Sequence, residues 1–589
     1  MSDLERRAAL AVEAEFAALL ARYHQRLGGA GETAAAVGEA GVRAWRASAE
    51  GHVCVAVDAA AAALLERSPV VCDAGACGAG RAHACGPDGD GRAGAPPDRP
   101  LVLQDGHLYL HRMWQAEDAL ACGLADLDAS APFADDAARR AEVDRLCADG
   151  GVDAEQRALI ETALARRLTI VSGGPGTGKT TTLARLIVAA AHLAPGLRIA
   201  IAAPTGRAAA RLSDSLLAQL PKLDPDPALR RRLPQAGTTL HRLLGVRGAA
   251  GRAHGPGRSG AAGARVLDAD LVIVDEASML DLDLARRLVA SIGPGSRLVL
   301  CGDKDQLASV EAGAVFAAVS SLRGPAGALR DAVVLLERNY RQRAAPGIAA
   351  LAARMRDGAL AADVSVPPSP DLEFRASTGA DRVIEDALTG YSEALDAAAA
   401  GAPGATLLAA CARFRIVAAL RSGPLGADAL NEAIGARIRR QLGVDPAAAW
   451  FAGRQVTVAQ NAPALGLFNG DLGVCLVVDG RLAVAFPAED GVRLFAPIQL
   501  PAVRDAWVST VHAAQGSEFD TVGFVPAPSG HPLATRELVY TAVTRARARL
   551  VVYGTVRQLA DAAGHPVRRL SLLAERIARR ARARSDPPT

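Results

Sequence analysis

The stretch Thr169-Ile-Val-Ser-Gly-Gly-Pro-Gly-Thr-Gly-Lys-Thr-Thr-Thr182 decides the reading of this chain. Apolar residues lead into Gly173-x-x-x-x-Gly178-Lys179-Thr180, and Leu183 to Ile187 continues with helical spacing. A strand, a glycine-rich loop and a helix N-terminus in that order form a phosphate cradle, because backbone N–H groups and the helix dipole converge on the anion. The candidate nucleotide contacts are therefore Gly173, Gly174, Pro175, Gly176, Thr177, Gly178, Lys179, Thr180 and Thr181. Lys179 is expected to reach the β- and γ-phosphates, and the Thr180 hydroxyl to ligate Mg²⁺. The pattern alone is weakly specific; a strand before it and a helix after it confirm it. The stretch predicts binding and hydrolysis of a nucleoside triphosphate.

Composition sharpens this reading. The chain has only three lysines, Lys179, Lys222 and Lys304, among 66 basic side chains. Lysine persists in the phosphate loop because a compact ammonium on a flexible stem fits there and a broad guanidinium does not. Lys222 has no assignable role. At 589 residues the chain is long enough for several domains, and half its residues are apolar. The net charge of +3 makes any nucleic-acid path a local groove. No apolar run is long enough to span a membrane, and the charged N-terminus lacks a signal peptide's apolar centre, so a cytoplasmic protein is expected. Nine scattered cysteines fit a reducing compartment. The group Cys72, Cys77, Cys85 with His83 lies in a Gly/Pro-rich insertion, 72–98. It reads as a surface loop that happens to contain cysteine, since its spacing does not match common zinc patterns.

The organisation is α/β. Residues 1–115 mix helix and strand, with helical spacing from Leu10 to Leu20, a strand over His52–Val57 and a hairpin turning at Asp105-Gly106. A helical connector is expected over 116–150. From 151 to 340, strands at Leu168–Val171, Arg198–Ala203, Leu271–Val274 and Arg297–Cys301 alternate with helices, which predicts a parallel sheet covered on both faces. Pro- or Gly-rich interruptions fall near 221–236 and 247–264. A second alternating domain, 341–589, is expected to use strands near Thr406–Ala410, Val522–Val525 and Leu550–Tyr553. Within it, about 445–505, the runs Gln455–Val458, Gly473–Val478 and Leu482–Phe486 suggest a small β-barrel insert.

Two further motifs carry chemistry. In Asp270-Leu-Val-Ile-Val-Asp275-Glu276, a buried strand ends in two carboxylates. Asp275 is placed to hold Mg²⁺ opposite Thr180, and Glu276 to orient and deprotonate the attacking water. A helix-starting acidic pair favoured by the dipole is the bland alternative, and the phosphate loop upstream outweighs it. In Gly302-Asp303-Lys304-Asp305-Gln306, a second strand ends in a polar turn whose Gln306 can sense the γ-phosphate.

The full set resembles superfamily 1 helicases, specifically the superfamily 1B group, and more closely the RecD family of α subunits of the RecBCD helicase–nuclease (exonuclease V). In the first motor region the matching segments are GGPGTGKTTT (173–182), APTGRAAARL (203–212), TTLHRLLG (238–245), VIVDEASM (272–279) and GDKDQLASVEAGAV (302–315). In the second they are ERNYRQ (337–342), ALGLFNGDLGV (464–474), VSTVHAAQGSEFD (508–520) and ELVYTAVTRAR (537–547). GHVCVAVD (51–58) and DGHLYLHRMWQAE (105–117) resemble the family's N-terminal docking region. The resemblance implies two RecA-like motor domains, an SH3-like insert, ATP with Mg²⁺, and 5′-to-3′ unwinding. It also implies assembly with RecB-like and RecC-like subunits at double-stranded DNA ends.

Residue by residue, the resemblance makes Gln156 the adenine reader and Arg341 and Arg545 the arginines that reach the γ-phosphate from the second domain. It makes Pro204, Thr205, Thr239, His241, Thr510 and His512 contacts to single-stranded DNA. Glu518 belongs to a matching motif without a role that chemistry alone assigns. Ala513-Ala514 stands where many relatives carry a basic residue. No Asp/Glu/Lys cluster remains for a nuclease, so that activity is expected in a partner. A stand-alone helicase would carry a different N-terminal module. A structural subunit with a decayed ATPase would not keep Lys179, Thr180, Asp275, Glu276, Gln306, Arg341 and Arg545 together.

Overall fold

The computed structural model describes residues 3–74, 99–148, 150–224, 226, 237–245, 266–323, 328–340, 344–361, 369–376, 379–488 and 491–585. Cys77, His83, Cys85 and Arg341 lie outside these residues, as do nearly all of the 72–98 insertion, most of 221–236 and all of 247–264.

The N-terminal region pairs two helices, Asp3–Arg26 and Gly31–Ala49, over a four-stranded sheet. Its strands are β1 (Val55–Ala56), β2 (Val71–Asp73), β3 (Leu101–Gln104) and β4 (His107–Leu110), in the order β1-β4-β3-β2. Asp105 and Gly106 both take positive φ (50° and 70°), as a two-residue hairpin turn with the strands' own twist requires. The strand expected over His52–Val57 is reduced to β1.

The first motor sheet is wholly parallel, in the order β10-β5-β9-β8-β6-β7. Its members are β5 (Leu168–Gly173), β6 (Ile199–Ala203), β7 (Thr238–Thr239), β8 (Leu271–Val274), β9 (Arg297–Gly302) and β10 (Val333–Leu336). β5, β8 and β9 are buried along their whole length, as strands covered by helices on both faces must be. Ser172 pairs with Gly302, Val274 with Leu300, and Ala202 with Val274, so β5, β6, β8 and β9 end on one edge. Loops beyond the carboxyl ends of such a sheet form its binding crevice.

The second motor sheet is also parallel, β11-β20-β19-β12-β18, built from β11 (Leu372–Phe374), β12 (Phe414–Ala418), β18 (Val508–Thr510), β19 (Phe519–Val525) and β20 (Ala546–Val552). Between β12 and β18 sits the insert: β13 (Gln455–Val458), β14 (Leu472–Val478), β15 (Arg481–Ala488), β16 (Gly491–Phe495) and β17 (Val503–Asp505). It is antiparallel in the order β16-β15-β14-β13-β17. Among the described residues β16 and β17 do not pair with each other, so the sheet is open rather than a closed barrel.

One expected strand is a helix. Thr406–Ala410 lies within the helix Gly404–Cys411, whose Leu407 and Cys411, one turn apart, are buried against Val474, Leu476 and Ala485 of the insert. A short apolar run does not by itself separate strand from helix; here the i, i+4 pair facing the insert decides. The strand is the next segment, β12. The interruption expected from 221 begins later: the helix Gly206–Leu223 carries Pro221 in its last turn.

The chain's end folds back. The helix Leu573–Ser585 packs on the helix His111–Leu127, and Leu572, Leu573 and Ile577 share a core with Tyr109, Leu120, Leu124, Leu288 and Val315. N-terminal region, first motor domain and C-terminus thus bury apolar surface together.

Candidate nucleotide site and interdomain cleft

The phosphate loop leaves β5 and enters the helix Lys179–Leu193 through Gly178, whose φ of 79° is left-handed. An L side chain is strained there, and a Cβ would lie 2.4 Å from Gln156 Nε2. Gln156 is buried and donates from Nε2 to the Thr177 carbonyl (3.1 Å); its Oε1 accepts from Asp153 N in a capping box that starts the helix Ala154–Ala165. Gln156 therefore buttresses the loop from beneath. Thr177 Oγ1 donates to the Gly174 carbonyl (2.8 Å), closing the turn. Lys179 Nζ donates to the carbonyls of Gly173 and Gly174. Thr180 and Thr181 lie half-buried in the first helical turn, and Pro175 is in the half-buried tip.

Asp275 follows β8, and Glu276 takes a left-handed φ of 52°. That backbone turn sends the two carboxylates in different directions. Burial, and then the Asp275 charge, hold the Glu276 carboxyl above its ordinary range, while Arg545, Lys179 and Arg211 pull the other way. Five residues from four motifs are thus within electrostatic reach of one another. The Cys301 thiol is pushed up by burial and by Asp275. The donor set suits Mg²⁺: Thr180 offers a hydroxyl and Asp275 a carboxylate, both hard oxygens, and the adjacent like-charged pair is a place where a divalent cation relieves repulsion.

The loop after β9 is the hub. Asp303 is 2% exposed. Its Oδ2 accepts from Gln306 Nε2 (3.2 Å) and from Tyr540 Oη (2.9 Å), and its Oδ1 from Asp305 N (3.1 Å). Lys304 N donates to Ser172 Oγ (3.1 Å), fixing the hub against β5. Tyr540 comes from the second motor domain, in the helix Arg536–Val543. From the same helix Thr541 Oγ1 accepts from Leu307 N (2.8 Å), and Gln515 Nε2 donates to the Leu307 carbonyl (2.8 Å).

Arg545 is 1% exposed, and its guanidinium donates to the carbonyls of Thr541 (3.0 Å) and Ser517 (3.1 Å) and to Thr544 Oγ1 (3.3 Å). It stands near Glu276, but its hydrogen bonds stay within its own domain.

Of the expected DNA segments, that of Thr205 faces the second domain: a Cβ on Gly516 would lie 3.7 Å from Thr205 Oγ1. Pro204 follows β6. The hydroxyls of Thr205, Thr239 and Thr510 accept from the N–H groups of Ala208 (3.2 Å), Arg242 (3.3 Å) and Ala513 (3.3 Å), which leaves each O–H proton free to point elsewhere. His241 is exposed; His512 is half-buried, and burial, then Arg569, depress its pKa. Arg207 crosses the cleft to Ser517 Oγ (2.7 Å) and the Gly470 carbonyl, and burial pushes its guanidinium down to about 10. Arg211 pairs with Glu518 (2.8 Å), which also pairs with Arg547 (3.1 Å). Glu518, left without a role by the sequence, is thus a cross-cleft ion-pair partner. Asp303, Tyr540 and Arg211 were not singled out from the sequence, although each lies inside a quoted motif; the signal was a polar or aromatic side chain in a strand-end loop or helix facing the other domain.

A cavity of about 780 Å³ lies elsewhere, between the helix Gly31–Ala49, residues 314–318 and residues 567–575. Among the described residues no group of three metal-ligating side chains occurs, and no helix is long and apolar enough to cross a membrane. Five of the seven described cysteines are buried.

Residues 151–366 match the model of an AAA domain, and 505–553 that of a UvrD-like helicase C-terminal domain. Over 494 residues the chain is 35% identical to the RecBCD enzyme subunit RecD of Mycolicibacterium smegmatis, covering 82% of this chain and 84% of that one. The chain belongs to the RecD family. This RecD-family chain is also 36% identical over 471 residues, 78% of each protein, to the RecBCD enzyme subunit RecD of Mycobacterium tuberculosis. It is 32% identical to the ATP-dependent RecD2 DNA helicase of Deinococcus radiodurans, over 80% of this chain and 59% of that one. Among solved structures, Bacteroides Pif1 bound to single-stranded DNA is 16% identical, with a TM-score of 0.39, over 69% of this chain and 93% of that one.

Proposed function

We propose that this chain is an ATP-dependent DNA helicase that translocates 5′-to-3′ on single-stranded DNA, as a subunit of a RecBCD-type helicase–nuclease acting at double-stranded DNA ends. Its partners are RecB-like and RecC-like subunits, and the nuclease chemistry resides in one of them. The observation that carries this reading is the joining of the Gln306 loop to the segment around Gln515, because it links the ATP edge of one motor domain to the DNA-facing turn of the other. Family membership supports the same reading. The 35% identity to a RecBCD subunit over 84% of that protein supports the subunit reading.

In this reading Lys179 exchanges its two loop carbonyls for phosphate oxygens. Thr180 and Asp275 would hold Mg²⁺, whose chemistry when bound is to neutralise phosphate charge. Glu276, with its raised pKa, takes the proton of the attacking water. Gln156 steadies the loop and reads adenine. Arg341 and Arg545 meet charge that develops in transfer. Thr205, Thr239 and Thr510 donate hydroxyl protons to DNA phosphates, with Pro204, His241 and His512 alongside, in contacts that ignore sequence.

The test is ATP-dependent strand separation on duplexes bearing a 5′ or a 3′ single-stranded tail, with Lys179→Gln as the inactive control. Unwinding from the 5′ tail alone, lost in the variant, is the expected result. Unwinding from the 3′ tail would refute the polarity. Absence of both DNA binding and ATPase would refute the motor.

A further inference from the structure

We propose that Tyr540 is a positioning residue for ATP hydrolysis, whose hydroxyl reaches from the second motor domain to Asp303 and through it fixes the amide of Gln306. The inference deepens the motor reading above and rests on it. Three observations carry it.

The first is place. A Cβ on Gly174 would lie 2.9 Å from Tyr540 Oη and 3.7 Å from Asp303 Oδ2, so the phenol stands directly on the phosphate loop. The second is convergence. Tyr540 Oη and Gln306 Nε2 both donate to the same oxygen, Asp303 Oδ2, while Oδ1 is held by Asp305 N. With one amide N–H committed to Asp303, the Gln306 amide is fixed in orientation, its second N–H left to meet the γ-phosphate and its Oε1 left as an acceptor. An acceptor is what orients the O–H of an attacking water. The third is the contrast with Arg545. Its guanidinium spends its described hydrogen bonds on Thr541, Ser517 and Thr544 of its own domain. Among the described residues, Thr541 and Gln515 reach only the Leu307 backbone, whereas Tyr540 bonds the Asp303 side chain that holds Gln306.

A buried hydroxyl always needs a partner, and a nearby carbonyl would satisfy it. Here the partner is a buried carboxylate 237 residues away on the other motor domain. Burial and the Asp303 charge also keep the phenol protonated, so it remains a donor throughout the working pH range. When the domains separate, Asp303 loses that donor and is free to rotate, and Gln306 rotates with it. Hydrolysis is thereby restricted to the closed cleft.

The experiment is steady-state ATPase of the full-length chain at saturating single-stranded DNA, comparing wild type with Tyr540→Phe, which removes only the hydroxyl. Tyr553→Phe is the control, since it deletes a hydroxyl bonded to Asp386 (2.8 Å) within the second domain. The expected result is a kcat lowered at least about tenfold in Tyr540→Phe, on the scale of one hydrogen bond to a charged acceptor. KM for ATP stays within about twofold, since ground-state binding does not use the bond. Asp303→Asn should also lower kcat, and Tyr540→Phe added to it should lower it no further, as for two residues acting as a unit. A Tyr540→Phe enzyme with wild-type kcat, or one whose loss is matched by Tyr553→Phe, overturns the proposal. A lowered melting temperature with unchanged kcat assigns the hydroxyl to stability alone and overturns it equally. If the wild-type ATPase does not respond to DNA at all, the motor reading fails first and this inference with it.

Discussion

Replacing Gly178 by alanine tests whether Gln156 and the left-handed turn shape the nucleotide site. At φ of 79° an alanine carries a steric cost, and its Cβ would stand 2.4 Å from Gln156 Nε2. The left-handed conformation costs an L residue about 1–2 kcal/mol. Displacing Gln156 breaks its bond to the Thr177 carbonyl, worth about 1 kcal/mol. The loop is short and its tip half-buried, so it relaxes out of this conformation and leaves the surrounding sheet intact. Nucleotide binding must then restore the cradle at a cost of about 2–3 kcal/mol, which weakens affinity roughly 30- to 150-fold. The assay is titration with a non-hydrolysable ATP analogue beside a thermal melt. Weakened binding with a nearly unchanged melting temperature is expected. Adding Gln156→Ala should give no recovery, because it removes the same bond to Thr177 and leaves the φ cost. Affinity within about threefold of wild type in Gly178→Ala would refute the reasoning, because it would mean the observed turn is not the one that holds phosphate.

Two further outcomes follow from named contacts. Glu276→Gln should lower kcat by about 10²- to 10⁴-fold, the usual contribution of a general base, with nucleotide affinity retained. Because the Glu276 carboxyl titrates above its ordinary 4.5, the acid limb of kcat/KM should lie above that value, with the rate rising as pH rises through it. The sign for stability is opposite: a raised carboxylate favours the folded state at low pH and loses that benefit as pH rises, so the glutamine variant should melt higher at neutral pH. A wild-type rate in the variant would remove Glu276 from the mechanism. Glu117→Ala should release the C-terminal helix. Glu117 is fully buried and accepts from Tyr109 Oη, Ser571 Oγ, Leu572 N and Arg576 Nε at 2.5–3.0 Å. Losing it leaves Arg576 with Asp118 alone, a change on the order of 3–5 kcal/mol for a broken buried pair. Faster amide exchange and tryptic cleavage across 573–585 would register it, and unchanged protection there would refute it.

The parallel sheets and the phosphate-side loops were legible because their chemistry leaves little choice of residue. Carboxylates at the end of a buried apolar strand, as in Asp275-Glu276 and Gly302-Asp303, are costly to desolvate unless they meet a cation or a donor. A phosphate loop in the same domain marks where that cation belongs. What stayed hidden depended on distant partners. β12 carries Arg415 inside a short apolar run, which breaks the strand pattern. Arg415 is fully buried, donates to the Ala506 carbonyl and lies 5.2 Å over the Phe519 ring. No local pattern announces that. The docking of the C-terminal helix rests on Glu117 and Arg576, 459 positions apart, each an ordinary charged helix residue when read alone. Tyr540 and Asp303 were both in view, but their meeting depends on how one domain sits on the other.

That seating also bears on how DNA and ATP are coupled. Gln515 lies five residues after Thr510, in the turn of the expected DNA segment, and its amide holds the carbonyl of Leu307. Leu307 N is held by Thr541, one residue after Tyr540. Leu307 itself is the neighbour of Gln306. A shift of 510–515 would therefore pull on the residue beside Gln306 through one hydrogen bond worth about 1 kcal/mol, and a shift of the helix Arg536–Val543 through a second. The Arg211–Glu518 pair, with the Glu518 side chain buried, the Arg207 bonds to Ser517 and Gly470, and the Tyr540–Asp303 bond tie the same cleft. Because the bonds of Arg207 and Tyr540 involve charged groups, at about 1.5–3 kcal/mol each they outweigh the two at Leu307. The bonds of Thr541 and Gln515 fall on the two backbone groups of one residue, which makes Leu307 a point where the motor domains meet directly beside Gln306.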